Sequence, residues 1–501
     1  MAAGAVLSLA FAPFGIWPLA ILVPALLFYL WRGVTPARAA VLGFAFGVGC
    51  FTAGTYWLYI SIVGFGQAPV WLAIVLMLAL VAVMALYSAL LGYLAARFLP
   101  ADRPWASLLA LPAGWVLLEW IRGWFLSGFG WLSLGYAHTD NWLAGFAPIG
   151  GVYLLSWLTA LLSMALLIVM QGSRRSRWAA LAILLLPWPI GAALDRLEWT
   201  RMAGAPVRVA IVQGAVPQDR KWQEDNREAT LQLYRDLTID ALGTPLVVWP
   251  EAALPELANR LVPFLGALGS AARSAQTDLL LGLIRAEPTQ LDEQGNPAIF
   301  NSLLSLGETV HWYDKQHLVP FGEFFPVPPF VRRWMRLMSL PYSDFTAGVS
   351  NQPPLKAGGL VLAASICYED AYPTSGHRAV RQSTALVNVT NDAWFGRSTA
   401  RFQHLQISRL RAIESRRFLL RAANDGVSAI IGPRGELLAT APEYQSAVLR
   451  GEVEPRTGAP PYVVVGNLPV LLAALLSLLL GLFAVRTGRE TDGELPPPEK
   501  V

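Results

Sequence analysis

The sequence predicts two fold classes in one chain, an all-α membrane part and a layered α/β domain. Three observations carry this. Hydrophobic residues make up 54% of the 501 and charged residues only 14%, against about 25% charged in an ordinary soluble domain. Mean hydropathy is correspondingly high, +0.45. The composition is also uneven: residues 1–195 are overwhelmingly apolar, 200–465 carry ordinary charge, and 468–485 are a last apolar run. Within 200–465, short apolar runs alternate with segments of helical spacing, the pattern of strands covered by helices.

In the apolar part, spans are expected near 16–31, 40–63, 70–97, 105–121, 147–170 and 178–194, with a further one at 468–485. Each approaches the roughly 20 residues a helix needs to cross a bilayer. Residues 2–12 are apolar but short, and no basic segment precedes them as in a signal peptide. A short first helix is expected there, for about eight spans in all. Arginines set the orientation. Arg32 and Arg38, then Arg97 and Arg103, then Arg174, Arg175 and Arg177 fall in alternate linkers, while "SIVGFGQAP" (61–69) has no charge. Positive loops stay cytoplasmic, so 200–465 is expected outside and the tail with Arg486 and Arg489 inside. The linker 122–146 is rich in tryptophan and glycine. It reads either as an interfacial aromatic belt or as a re-entrant loop shaping a lipid entrance under the outer domain. Glu119 and Arg122 at its edge are expected to pair with each other, because an unpaired charge at membrane depth is costly.

In the outer part, strands are expected at 207–214, 245–251, 278–285, 298–307, 360–369, 385–392 and 427–435. Helices are expected at 224–242 and, rich in arginine, at 400–422. The predicted organisation is therefore a transmembrane domain 1–198, an outer domain 199–466, a last transmembrane helix 467–486 and a tail 487–501.

Three strand ends carry ionisable groups: Glu251 after "LVVWP", Lys315 after "HWYD" and Cys367 after "LAASI". Strand ends in α/β sheets are where ligand crevices form. The chain has two cysteines, too few for a disulfide framework. Cys367 could be core filler, metal ligand, redox thiol or nucleophile. Five histidines without HExxH or CxxC spacing weigh against a metal, and no metal or cofactor is expected. The three groups together suit acyl transfer: a thiol needs a base, a partly desolvated carboxylate can be one, and a lysine can hold a tetrahedral oxyanion. A single thiol kept in a compartment where disulfides form is expected to be in use.

The motifs "VVWPEAALPE", "YDKQHLVPFGEFFP" and "AASICYEDAYP" resemble the three signatures of the nitrilase superfamily. With "NDAWFG" and the apolar segments, they resemble more narrowly the apolipoprotein N-acyltransferase family of Gram-negative bacteria, over nearly the whole chain. The short amino terminus departs from that family's pattern. The resemblance implies an αββα sandwich on the membrane bundle, with Glu251 as general base, Lys315 as oxyanion stabiliser and Cys367 as nucleophile. It further implies that Glu323 positions the lysine and substrate, and that Trp222, Tyr368 and Glu369 matter. For Trp222 the plain alternative is a surface aromatic, and for Glu369 a simple salt-bridge partner. The implied reaction moves an acyl chain from a membrane phospholipid, phosphatidylethanolamine in the first instance, through a cysteine thioester to the α-amino group of a diacylglyceryl-cysteine apolipoprotein. The implied setting is the bacterial inner membrane with a periplasmic catalytic domain. Partners are the bilayer and these two lipid-anchored substrates, with no nucleic acid. The alternatives are a membrane-tethered amidase or nitrilase acting on small C–N compounds, and a non-enzymatic lipid-binding or transport protein.

Overall fold

A computed structural model describes residues 1–65, 69–291, 295–307, 309–324, 345–373 and 376–492. The chain forms two compact units, Met1–Leu197 with Val465–Val501, and Glu198–Val464.

Among the described residues of the first unit, six helices are long and apolar enough to cross a membrane: Pro36–Gly54, Val70–Phe98, Pro104–Arg122, Trp142–Gln171, Arg174–Asp195 and Leu468–Thr487. Leu19–Leu30 is apolar but shorter. Ala2–Leu7 is shorter still, and a 3-10 turn follows it at Ser8–Ala10. Thr35 caps the helix Pro36–Gly54 by accepting a hydrogen bond from Arg38 N, with Pro36 in the first turn, where its missing N–H costs nothing. That helix packs along Val70–Phe98. At Gly47 any Cβ would lie 2.6 Å from Ala85 Cα, so glycine is what lets the two backbones meet, as at small-residue interfaces between membrane helices. The outward faces carry leucine, valine, tryptophan and phenylalanine, including Trp71, Val75, Leu86, Leu472 and Phe483, all exposed.

The 122–146 linker is not a flat belt. It folds into short 3-10 turns, with Trp131, Leu134, Tyr136 and His138 buried and Trp124 and Trp142 exposed. Glu119 and Arg122 do not pair with each other, as the sequence had suggested. Glu119 accepts from Trp115 Nε1 (2.8 Å) and Leu134 N (3.0 Å). Arg122 donates to Trp131 O (2.6 Å) and Ser133 Oγ (3.0 Å). A buried irregular loop must satisfy its own backbone groups, and these two charges do so.

The second unit is two six-stranded sheets. Its strands are β1 Arg201–Met202, β2 Val207–Gln213, β3 Leu246–Val248, β4 Asp278–Leu291, β5 Pro297–Leu306, β6 Val310–Asp314, β7 Leu355–Ala357, β8 Leu360–Ile366, β9 Ala385–Thr390, β10 Leu419–Ala423, β11 Ala429–Ile431, β12 Leu437–Thr440, β13 Ala447–Val453 and β14 Arg456–Thr457. One sheet runs β13-β2-β3-β4-β5-β6, the other β12-β11-β10-β9-β8-β7, and β1 pairs with β14. Each large sheet has a parallel centre, β2-β3-β4 and β8-β9-β10, with antiparallel flanks. The period-two alternation of strands explains why these runs are apolar throughout. Val209, Ile211, Leu246, Val248 and Leu280 face Leu360, Leu362, Val387 and Leu420 of the other sheet. Ala210, Val212, Val247 and Leu281 face outward under the helices Arg227–Ala241 and Val262–Ser274. On the far side Ala363, Leu386 and Leu419 pack under Ala400–Ser415. The layer order is helix, sheet, sheet, helix. At roughly 1.5–3 kcal/mol for each buried aliphatic side chain, this double burial is what holds the sheets face to face.

One expectation changes form here. The run 400–422 is a helix only to Ser415; Arg416 takes φ +52° in the left-handed region and residues 419–423 form β10. The leucines and alanines of "LLRAA" are good helix formers, but the slot between β9 and β11 is a strand position, and tertiary pairing overrides propensity.

Candidate active site

The three ionisable residues leave three different strands. After β3 the chain keeps bonding to β4 through Trp249 N to Leu280 O and Ala253 N to Gly282 O, both 2.8 Å. Trp249 is fully buried, its Nε1 donating to Thr238 Oγ1 (2.9 Å). A Cβ at Gly282 would lie 2.0 Å from Pro250 O and 2.8 Å from Glu251 Cα. Only glycine lets the Glu251 turn lie flat on β4.

Lys315 follows β6 and is fixed by its backbone, N donating to Asn301 O (2.9 Å) and O accepting from Gly348 N (2.8 Å). Its neighbour Asp314 is gripped by both prongs of Arg285, Nε at 2.9 Å and Nη2 at 2.8 Å, and by Ser302 Oγ at 2.7 Å. Forked pairing of this kind fixes orientation as well as charge. Lys315 Nζ donates to Glu323 Oε1 (2.8 Å) and Glu251 Oε1 (3.4 Å). Asn301 Nδ2 bridges the same two oxygens at 2.7 Å to Glu251 and 3.0 Å to Glu323. Glu323 Oε2 accepts from Val319 N (2.8 Å), which closes the loop after Lys315 onto the cluster. Burial of the lysine would lower its pKa, but the carboxylates of Glu323 and Glu251 outweigh it and hold the ammonium charged.

Cys367 is the first residue past β8 and opens a 3-10 turn, Cys367–Ala371. It is half-buried and has φ +52°, a conformation that costs a residue with a Cβ on the order of 1–3 kcal/mol unless its surroundings impose it. Burial pushes its thiol well above the usual range, Glu251 adds to this and Lys315 opposes it. The resting sulfur is therefore a thiol, electrostatically coupled to both other groups.

Of the supporting residues, Glu369 proves to be more than a salt-bridge partner. It is 1% exposed. Its Oε1 accepts from Gln316 N (2.6 Å) and His317 N (3.2 Å), and its Oε2 from Ile366 N (2.7 Å) and Tyr313 Oη (2.9 Å). It ties the segment after Lys315 to the strand end that carries Cys367. Burial pushes its carboxyl up to about 7 against the pull of these N–H donors. Tyr368 is buried edge-on to Tyr372, which stacks on His317. Trp222 is 50% exposed and, among the described residues, takes no part in the hydrogen bonds around the cluster. Of the motif ending in "GEFFP", Phe325 and Pro326 lie outside the described residues.

Two residues escaped the sequence reading. Asn301 had a visible signal, a lone amide in the apolar strand "AIFNSLL", but its partners lie 50 and 22 residues away. Lys221, beside Trp222, is fully buried, and its Nζ meets no hydrogen-bond partner among the described residues. Burial pushes its ammonium down to about 8, with Glu251 pulling the other way. Lys221→Met is expected to raise the melting temperature at pH 7 by several degrees, since it removes an unpaired buried charge without leaving a hole. The folded-state pKa lies below the unfolded one, near 10.4. At pH 7 both states are protonated and the folded state bears the whole cost; above about pH 8 it sheds the proton and the cost falls. The gain should therefore shrink between pH 8 and 10. Thermal unfolding in detergent at pH 7 and 9.5 measures it, and a gain that grows with pH contradicts the assignment.

Residues 3–165 match the family described as apolipoprotein N-acyltransferase N-terminal domain, and residues 208–460 match carbon-nitrogen hydrolase. With the two-sheet sandwich, the second match shows a nitrilase-superfamily fold in the second unit. The chain is similar to apolipoprotein N-acyltransferase of Azotobacter vinelandii, 43% identical over 504 residues, 99% of this chain and 96% of that one. It is also similar to that of Methylococcus capsulatus, 39% identical over 490 residues, 98% of this chain and 96% of that one. A solved amidase of the nitrilase superfamily from Nesterenkonia covers 54% of this chain and 97% of its own, at 17% identity and a TM-score of 0.39.

Proposed function

The chain belongs to the apolipoprotein N-acyltransferase family, and from that premise we propose that it N-acylates lipoproteins through a thioester on Cys367, with Glu251 as base and Lys315 as oxyanion donor. The observation that carries this reading is the buried cluster in which Lys315 is bonded to Glu251 and Glu323 and is coupled electrostatically to the Cys367 thiol. In the first half-reaction Glu251 takes the proton of Cys367 and the thiolate attacks the ester carbonyl of a membrane phospholipid. Lys315 Nζ holds the tetrahedral oxyanion. The C–O bond breaks, Glu251 returns the proton to the departing lysophospholipid, and the acyl chain stays on sulfur. In the second half-reaction the neutral α-amine of the lipoprotein attacks the thioester and loses a proton to Glu251. The thiolate leaves and is reprotonated. Glu323 and Asn301 hold Lys315 and Glu251 in register, and Glu369 holds the two loops together; Tyr368 and Trp222 are assigned to substrate contact.

The donor is a phospholipid, phosphatidylethanolamine in this reading, and the acceptor a diacylglyceryl-cysteine apolipoprotein. Both are lipid-anchored, which gives a reason for a hydrolase-like domain to be tethered by apolar helices at both its ends. We assign 1–198 and 467–486 to the bacterial inner membrane, 199–466 to the periplasm and 487–501 to the cytoplasm, on the alternation of arginines between linkers.

One assay tests chemistry and sidedness together. A membrane-impermeant diacylated lipopeptide added outside right-side-out spheroplasts should become N-acylated, and one added to inverted vesicles should not. Acylation in the inverted vesicles alone would overturn the topology. Hydrolysis of a short soluble amide with no lipopeptide product would favour an amidase.

A further inference from the structure

The motif "NDAWFG" and the helix Ala400–Ser415 take no part in the triad, yet the helix meets the Cys367 backbone through His404, and the motif meets His404 through Asp392. His404, 1% exposed, has Nδ1 2.9 Å from Asp392 Oδ1 and Nε2 3.1 Å from the carbonyl oxygen of Cys367. A backbone carbonyl is a pure acceptor, so Nε2 is the donor to Cys367. Asp392 is kept ionised: burial would raise its carboxyl, but Arg421 and His404 outweigh that and hold it at about 2. Arg421, with no exposed surface, anchors the whole set. Its Nη2 donates to Asp392 Oδ2 and its Nη1 to Asn388 Oδ1 and Ser408 Oγ, each at 2.8 Å. Asn388 Nδ2 in turn reaches Ser365 Oγ (3.0 Å) and the same Cys367 carbonyl (3.5 Å). Ser365 and Ser408 both donate to Asp370, at 2.7 and 2.5 Å. Strands β8, β9 and β10, the turn after β9 and the helix Ala400–Ser415 thus converge on one carbonyl. That carbonyl belongs to the residue held at φ +52°.

We infer that His404 is a positioning residue: clamped by Asp392 and Arg421, it holds the Cys367 carbonyl and so imposes the left-handed backbone that presents the thiol to Glu251 and Lys315. This rests on the reading of Cys367 as nucleophile. Misplacing a reacting atom by about 1 Å can cost on the order of 100-fold in rate, and a released elbow has that freedom.

The test uses the full-length enzyme in detergent and three variants. Glutamine places an amide N–H about where Nε2 sits, asparagine about where Nδ1 sits, and alanine neither. His404→Ala and His404→Asn should slow single-turnover acylation of Cys367 by phospholipid on the order of 100-fold, with KM for phospholipid little changed. His404→Gln should restore the rate to within about 10-fold of wild type. A fold-support role alone would lower the melting temperature of the Asn and Gln variants alike without separating their rates. Equal rates for those two, a loss confined to KM, or wild-type acylation in His404→Asn would overturn the proposal. Should His404→Ala fail to fold, the Asn–Gln pair carries the comparison. If wild-type enzyme itself forms no adduct on Cys367, the nucleophile reading falls first and the positioning role falls with it.

Discussion

Cys367→Ala is expected to form no acyl adduct and to show no turnover, and Cys367→Ser to acylate slowly and then stall. The alanine variant removes the only thiol that the second unit possesses. The serine result is the more informative. Burial and Glu251 already hold the thiol protonated at rest, so the base must extract that proton during attack. A hydroxyl is harder to activate than a thiol, and the same carboxylate must now do more. An oxygen ester, once formed, is also a poorer acyl donor to an amine than a thioester. Turnover should fall below detection, and the adduct on the serine variant should persist in the presence of acceptor. Intact-protein mass spectrometry at successive times reads both steps. A serine variant that turned over at a sizeable fraction of the wild-type rate would mean that sulfur chemistry is not what the site provides.

Lys315→Arg is expected to lose nearly as much activity as Lys315→Ala, on the order of 100- to 1000-fold in kcat, the usual loss for one oxyanion donor. The lysine is 1% exposed and presents one ammonium to Glu323 and Glu251 on Oε1 atoms that Asn301 also bridges. A guanidinium keeps the charge but is planar and wider, with its donors in a fixed fork. It cannot occupy that point without displacing one of the two glutamates. The alanine variant carries a second penalty, since the buried Glu251 and the partly buried Glu323 lose their cation, and breaking a buried pair costs about 3–5 kcal/mol. Its melting temperature should therefore fall further than that of the arginine variant, although the two rates are similar. If Lys315→Arg kept most of the wild-type rate, the lysine would act only through distant charge.

Much of this was legible in the chain. Strands buried on both faces read as apolar runs without alternation, and those at 207–213, 246–248, 360–366 and 385–390 lie inside the predicted segments. Glu251 and Cys367 stand out because each follows such a run, whereas Lys315 follows the partly exposed strand 310–314 and stands out by its motif. What stayed hidden depends on contacts distant in sequence. The end of the helix at Ser415 is imposed by β9 and β11 on residues with good helix propensity. The polar partners of Glu119 and Arg122 are loop backbone groups that no periodicity reveals. His404 stands 37 residues from the carbonyl it holds, and Glu369 looks like one more acid until the four donors converging on it are seen.

The most direct test of a thioester pathway is the mass of wild-type enzyme incubated with phospholipid alone and then given an acceptor. One hydroxylamine-sensitive fatty acyl group is expected on Cys367. A diacylated lipopeptide with a free amino terminus should discharge it, and the same lipopeptide acetylated at that terminus should leave it in place. Equal discharge by both would make water the acceptor and the protein a hydrolase, and an acyl group found elsewhere than Cys367 would contradict the account at its centre.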